Sequence, residues 1–335
     1  MNTRALVFLG LAVIALDASA AEKRLDKSFA VKAGGTLHVD ADSASITVKG
    51  GSTDQVRVQM QFEGSSSSLD RLILSAEASS DGVEVKAKRD NADWHNWLSF
   101  GSVHKAEITI SVPQLYNVDL KTSGGGIDID TLSGQVKGAT SGGSVRVHSI
   151  SGPVRMHTSG GSVSATDIHG ETIVGTSGGR IDAARIVGSL RAETSGGGID
   201  VVDVHGPVTA ETSGGSVSAR AVVGDVHLSS SSGSIRAEAD GEIVAETSGG
   251  RIDVVLLGAN RGINASTSGG SITINVPKTA DASFDASTSG GSVTSDLPIA
   301  RTSSDKKSLK GTLNGGGALI TARTSGGGIQ LQSSR

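Results

Sequence analysis

The stretch GTSGG, Gly175 to Gly179, has the nucleophile-elbow spacing G-x-S-x-G, in which a serine on a tight turn attacks an acyl carbon. Ser177 would be that nucleophile. Such a serine needs a histidine to take its proton, an acid to orient the histidine and backbone donors for the oxyanion, all assembled once around one position. The sequence instead repeats the motif: TSGG begins at Thr122, Thr140, Thr158, Thr176, Thr194, Thr212, Thr247, Thr267, Thr288 and Thr324, with a worn copy, SSSG, at Ser230. A pattern used this often belongs to the architecture, and Ser177 is assigned to a turn.

Metal chemistry is the next candidate, because calcium-binding β-rolls place an aspartate in every turn of a G-G-x-G-x-D repeat. The corresponding positions here read Asp128, Arg146, Ser164, Asp182, Asp200, Ser218, Arg236 and Asp253, so arginine or serine fills half of them. A hard cation wants six or more oxygens from a regular set. Asp182 and Asp200 alone stand as neighbours that could share a cation, a weak alternative to having no metal site. His169 and His205 share a register two coils apart, about 10 Å at the stacking distance of strands, too far for one zinc. No cluster of carboxylates marks a glycosidase or polysaccharide lyase, and neither a catalytic residue nor a cofactor is assigned. The aromatic segment DNADWHNWLSFGS offers the best ligand contact: Trp94, Trp97 and Phe100, with His95 and Asn96 between them, suit a sugar ring or an apolar patch on a partner. The competing reading, a cap that shields the first coils or the rod's flank, is the stronger of the two.

The elements that position these groups follow from the period. TSGG copies recur 18 residues apart from Thr122 to Ser230, and each unit divides into two nines. In the first nine, apolar residues alternate (Ile127/Ile129, Val145/Val147, Ile181/Ala183), the period of a strand with one buried face. The second nine carries Val154/Met156, Leu190/Ala192 and Val208/Ala210, preceded by corner residues such as Leu132, Ile150 and Ile168. Glycine pairs recur too often for helices. The expected fold is all-β: a parallel β-solenoid of the β-helix or β-roll kind, about 18 residues per coil with two short strands each, roughly 50 Å long from Thr122 at about 4.8 Å per coil. Gly124–Gly125 and their equivalents are expected at one corner and Gly134, Gly152, Gly170, Gly188, Gly206 and Gly224 at the other, supplying positive φ. Threonines at the motif's first position should form a ladder.

Composition bounds the rest. Only 2% of the residues are aromatic, while 47 are glycine, so the core must be thin. Residues 1–20 read as a signal peptide: Arg4, a short apolar run, then the small residues Ala18-Ser19-Ala20. The chain is then expected to be periplasmic or extracellular, with no transmembrane segment after processing. A net charge of −4 gives no footprint for nucleic acid, and the absence of cysteine removes disulfides and thiol ligands. Residues 21–121 carry looser alternation and read as irregular coils with a cap. Residues 122–335 read as the regular solenoid, with a polar excursion at 301–312, and the last coil, TSGGGIQLQ, closes the chain.

The segments ISVPQLYNVDLKTSGGGIDI, GTLHVDADSASITVKG and GTLNGGGALITARTSGGGIQL, with the reiterated TSGG, resemble the bacterial adhesin-like family of the DUF4097 type. The resemblance spans nearly all of the chain after residue 20. It implies a β-solenoid adhesin-like or cell-envelope scaffold that binds an envelope or surface component, glycan or protein, without catalysis. The alternatives on the same architecture are a carbohydrate-active β-helix and a calcium-binding β-roll.

Overall fold

The computed structural model describes residues 21–90 and 103–334. They form a parallel β-solenoid whose coils contribute one strand to a 15-stranded sheet and one to a 16-stranded sheet, here the first and second sheets. The coil beginning at Val145 shows the rule. Strand Val145–Ser151 enters the first sheet, the chain turns at Gly152, strand Val154–Thr158 enters the second sheet, and Ser159–Gly161 turns back. Val145, Val147, Ile150, Val154 and Met156 are buried between the sheets, and the residues alternating with them face out. From Ile127 to Val223 neighbouring coils pair residue for residue, as in Val145↔Val163 and Val154↔Thr172, so each inward residue stacks on an inward residue; on the next coil the register shifts between Ala219 and Val222, where Val222 meets Ala239.

The spacing from Val147 to Ile150 breaks the two-residue alternation, and the backbone shows why both are buried. Ser149 lies in the left-handed region at φ 55°, is skipped by the ladder, and shifts the parity so that Ile150 turns inward. The same bend recurs at Thr131, Asp167, Arg185, Asp203 and Ala221, with φ from 52° to 59° and no glycine among them. An L-residue in this conformation costs roughly 1–2 kcal/mol. Burial of Leu132, Ile150, Ile168, Ile186, Val204 and Val222 immediately afterwards offsets it.

Both corners need glycine, for different reasons. At Gly134, Gly152, Gly170, Gly188, Gly206 and Gly224 φ runs from +137° to +158°, as expected of turn glycines. At the TSGG corner positive φ was expected too, and it does not occur. There the second glycine is demanded by stacking: a Cβ on Gly161 would lie 2.1 Å from the Gly143 carbonyl oxygen, whereas one on Gly160 would meet nothing nearer than 3.5 Å.

The two ends depart from chain order. Strands Thr36–Ala41 and Ser45–Gly51 sit one layer in, between the strands Gly82–Arg89 and Val103–Pro113 on one side and Asn117–Lys121 and Ile127–Ser133 on the other. Antiparallel strands Ala21–Ala30, Gln55–Gly64 and Leu72–Ala78 complete that end. Lys23 Nζ donates to the carbonyls of Leu69 (3.0 Å) and Leu72 (2.6 Å), and Lys27 Nζ to that of Ala76 (3.0 Å), tying the edge of one sheet to the edge of the other. Charged tethers of this kind blunt an edge that would otherwise template further pairing.

At the opposite end the last coil in the sequence is not the last in the stack. Strand Leu319–Thr324 lies between Ile263–Thr267 and Ala282–Thr288, and strand Ile329–Ser333 between Ile272–Val276 and Val293–Ser295. The outermost strands of the second sheet are Ala300–Ser304 and Ser308–Leu313, an antiparallel pair.

Two stability measurements check these assignments. Gly161→Ala should destabilise by about 1–3 kcal/mol or more through overpacking, while Gly160→Ala stays within about 0.5 kcal/mol; equal urea midpoints for the two variants would contradict the stacking argument. Ala221→Gly should stabilise by roughly 1 kcal/mol by releasing the left-handed strain, read as a higher thermal midpoint.

Candidate functional site

The repeating corner is built around a hydroxyl. Thr158 Oγ1 donates to the Gly143 carbonyl of the preceding coil at 2.7 Å and accepts the Gly161 N–H of its own turn at 3.3 Å. Thr140, Thr176, Thr194, Thr212, Thr247, Thr267 and Thr324 do the same. All are buried. Ser230, in the worn copy, keeps both bonds at 2.8 and 2.9 Å, so the position requires the oxygen and tolerates loss of the methyl. A buried hydroxyl satisfied on both sides is worth holding because either backbone group left alone would cost about 1–3 kcal/mol.

With threonine turned inward, the next two residues of each motif turn outward. Ser123-Gly124, Ser141-Gly142, Ser159-Gly160, Ser177-Gly178, Ser195-Gly196 and Ser213-Gly214 are exposed one above another. The backbone joins them: Gly160 N–H donates to the Ser141 carbonyl at 2.8 Å and Gly178 N–H to that of Ser159 at 3.0 Å. Ser177 is one member of this column. Among the described residues no histidine or carboxylate is hydrogen-bonded to its exposed side chain, and its N–H bonds the Ser159 carbonyl at 3.2 Å.

Beside the column, on the outer face of the first sheet, runs a groove of about 400 Å³ whose lining includes Thr47, Asp128, Ser144, Arg146, Ser162 and Ser164. Ser144 Oγ accepts the Ser162 N–H and Ser162 Oγ the Arg180 N–H, each at 3.3 Å, which fixes the oxygens and leaves their own protons directed elsewhere. These serines occupy the fifth letter of the motif, where Gly126, Arg180 and Gly198 also occur, so the repeat pattern does not mark them.

Charge on this face is distributed in pairs across coils. Arg146 meets Asp128 at 3.0 Å. Asp182 and Asp200 are register neighbours, as expected, and guanidinium groups occupy them: Arg180 lies 2.7 Å from Asp182 and 3.5 Å from Asp200, and Arg220 lies 3.2 Å from Asp200. The Asp182 partner raises the Arg180 pKa above its ordinary value. Asp167 takes two hydrogen bonds from Arg185, at 2.6 and 2.8 Å, which hold its carboxyl below the usual range, and His148 Nδ1 stands 3.2 Å away. Among the described residues no three histidine or carboxylate side chains are arranged to hold a metal ion. Trp94, Trp97 and Phe100 lie outside the described residues.

The family model described as Toastrack DUF4097 matches residues 35–243 and again 224–332. Among solved structures, a candidate adhesin from Bacteroides fragilis NCTC 9343 is similar at 13% identity and a TM-score of 0.34, covering 93% of this chain and 97% of that one. A candidate adhesin from Parabacteroides merdae ATCC 43184 gives 9% identity and 0.34 over the same shares. A candidate lipid binding protein from Parabacteroides distasonis ATCC 8503 gives 12% and 0.27, again over 93% and 97%. The search of curated proteins finds no match.

The hydroxyl ladder makes a substitution test direct. Thr176→Val should cost about 2 kcal/mol by stranding the Gly161 carbonyl and the Gly179 N–H, whereas Thr176→Ser should cost well under half of that. Ser177→Ala should change stability by no more than about 0.5 kcal/mol. Chemical denaturation of the three variants separates them, and an esterase signal lost in Ser177→Ala would overturn the turn assignment.

Proposed function

The chain belongs to the Toastrack DUF4097 family, and on that premise we propose that it is an exported, non-catalytic binding or scaffold protein of the bacterial cell envelope or surface. Of the Ser/Thr/Gly-rich face that the repeat predicts, it acts through the exposed Ser-Gly column. The observation that supports this reading most is the division of labour within TSGG: threonine is consumed by the ladder, and an exposed Ser-Gly pair is offered at every TSGG copy, with Ser231-Ser232 in its place in the worn one. A surface of identical small polar steps about 4.8 Å apart engages an extended, hydroxyl-bearing partner by many weak contacts. Avidity then grows with the number of coils engaged. The pairing of Arg180, Arg185 and Arg220 with carboxylates keeps the ionisable groups occupied with one another, which suits a contact surface better than acid–base catalysis.

Export rests on the signal-like residues 1–20, and a second contact on Trp94, Trp97 and Phe100. The two contact surfaces are separable. On a panel of envelope glycans and cell-surface extracts, the chain should bind without releasing any cleaved product. Removing Thr158–Gly175, one whole coil, should preserve the fold and lower apparent affinity if the repetitive face binds. Trp94→Ala with Trp97→Ala should abolish binding if the aromatic segment does. Turnover of any polysaccharide on the panel would replace this reading with a carbohydrate-active enzyme.

A further inference from the structure

The coil Leu319–Ser333 is placed out of chain order, in a slot whose floor and roof are both made of earlier residues. Its floor is the coil of strands Ile263–Thr267 and Ile272–Val276, and its roof the strands Ala282–Thr288 and Val293–Ser295. The slot recognises it by the same contacts that hold coils in the middle of the rod. Thr324 Oγ1 donates to the Gly270 carbonyl below at 2.8 Å, and Thr288 Oγ1 in the roof donates to the Gly327 carbonyl at 2.7 Å. Ile320, Ala322, Ile329 and Leu331 are buried in register with Ile263, Ala265, Ile272 and Ile274. One charged contact is particular to this coil, Arg323 Nη1 to the carboxylate (2.9 Å) and carbonyl (2.8 Å) of Asp285 in the roof.

This coil is joined to the preceding strand, Ser308–Leu313, by Asn314–Ala318, five residues that include Gly315, Gly316 and Gly317. Asn314, Gly315 and Gly316 sit at φ 51°, 89° and 93°, and Gly315 has open space around it. Release of the coil breaks the hydrogen bonds that hold this hinge, from Asn314 Nδ2 to the Lys278 and Ala280 carbonyls (2.8 and 3.0 Å) and from Asn260 Nδ2 to the Ala318 carbonyl (2.6 Å), and takes from Val293–Ser295 its strand partner, so the exchange needs partial opening of this end of the rod. The emptied slot then presents two parallel strand edges and a row of Gly and Thr groups whose partner is a TSGG coil of any copy.

We propose that this slot accepts the Leu319–Ser333 coil of a second copy of the chain, so that two copies join by reciprocal coil exchange. The contacts made are identical within and between copies, so exchange is nearly neutral in contact energy. The hinge sets the balance: a short tether holds the chain's own coil at an effective concentration of the order of mM. Exchange is therefore expected where copies are crowded, as on a surface. It involves the end of the rod and leaves the Ser-Gly column free, so it stands apart from the ligand-binding reading above.

The chain has no cysteine, which makes the test clean. Asn264 and Thr321 are register partners on adjacent parallel strands, neither of them buried, at a spacing a disulfide can span. Asn264→Cys and Thr321→Cys in one chain should cross-link within the monomer. Mixed as separate single variants at about mM concentration, warmed close to the unfolding midpoint and cooled under mild oxidation, they should give a disulfide heterodimer in about tenfold excess over either homodimer. Heterodimer no more abundant than homodimers, with the cross-link formed efficiently in the double variant, would falsify the exchange. Failure of the double variant to cross-link would refute the slot itself.

Discussion

The approach of successive backbones at the TSGG corner is the constraint on which this fold turns. The threonine hydroxyl bridges the carbonyl of one coil to the N–H of the next, and the second glycine of the motif lets the two main chains come close enough for it to do so. A side chain at that glycine would enter the carbonyl below. Once the spacing is fixed at this corner, the strands on both sides are held in register, the inward residues stack as columns, and the outward residues follow. A thin core of valine, isoleucine and alanine then suffices, because the ladder specifies the alignment that larger cores achieve by interlocking shape.

The opposite corner solves a different problem. There the chain reverses through glycines at positive φ, and just before them it bends at a left-handed residue that is never glycine in the regular coils. The bend converts a strand of simple alternation into one that buries a third residue. The core thus gains one apolar side chain per coil, and the strain is carried by residues such as Asp167, Arg185 and Asp203, which use their outward position to pair with one another or with a neighbouring histidine.

Much of this was legible in the sequence because a solenoid writes its period directly into the chain. The eighteen-residue repeat, the alternation around Val145 and Val147 and the threonine ladder follow from local pattern, whereas the burial of the threonines does not, since by residue type they belong with serine and glycine on an exposed polar face. The left-handed bend was not legible, since Thr131, Asp167 and Arg185 share no chemistry that marks the conformation; the only trace was the three-residue step from Val147 to Ile150. The order of stacking at the ends was hidden for a deeper reason. Coils that recognise each other through backbone and Thr-Gly contacts carry no order in those contacts, and the one charged pair that distinguishes this placement, Arg323 with Asp285, is not marked by the repeat. The groove serines were overlooked because Ser144 and Ser162 stand at a letter that varies. Ser177 was legible as a turn residue only when its copies were counted, and its geometry as a member of an exposed column follows from the threonine beside it pointing in.

The locked ends have a consequence for how such a rod changes over generations. Coils Thr36–Gly51 and Leu319–Ser333 bind their caps without reference to what lies between them. A duplication or loss of one repeat in the intervening gene segment therefore alters length by a single step of about 4.8 Å and leaves both closures intact. Reach becomes a heritable quantity that varies in fixed increments, free of the packing penalties that accompany insertion into a globular core.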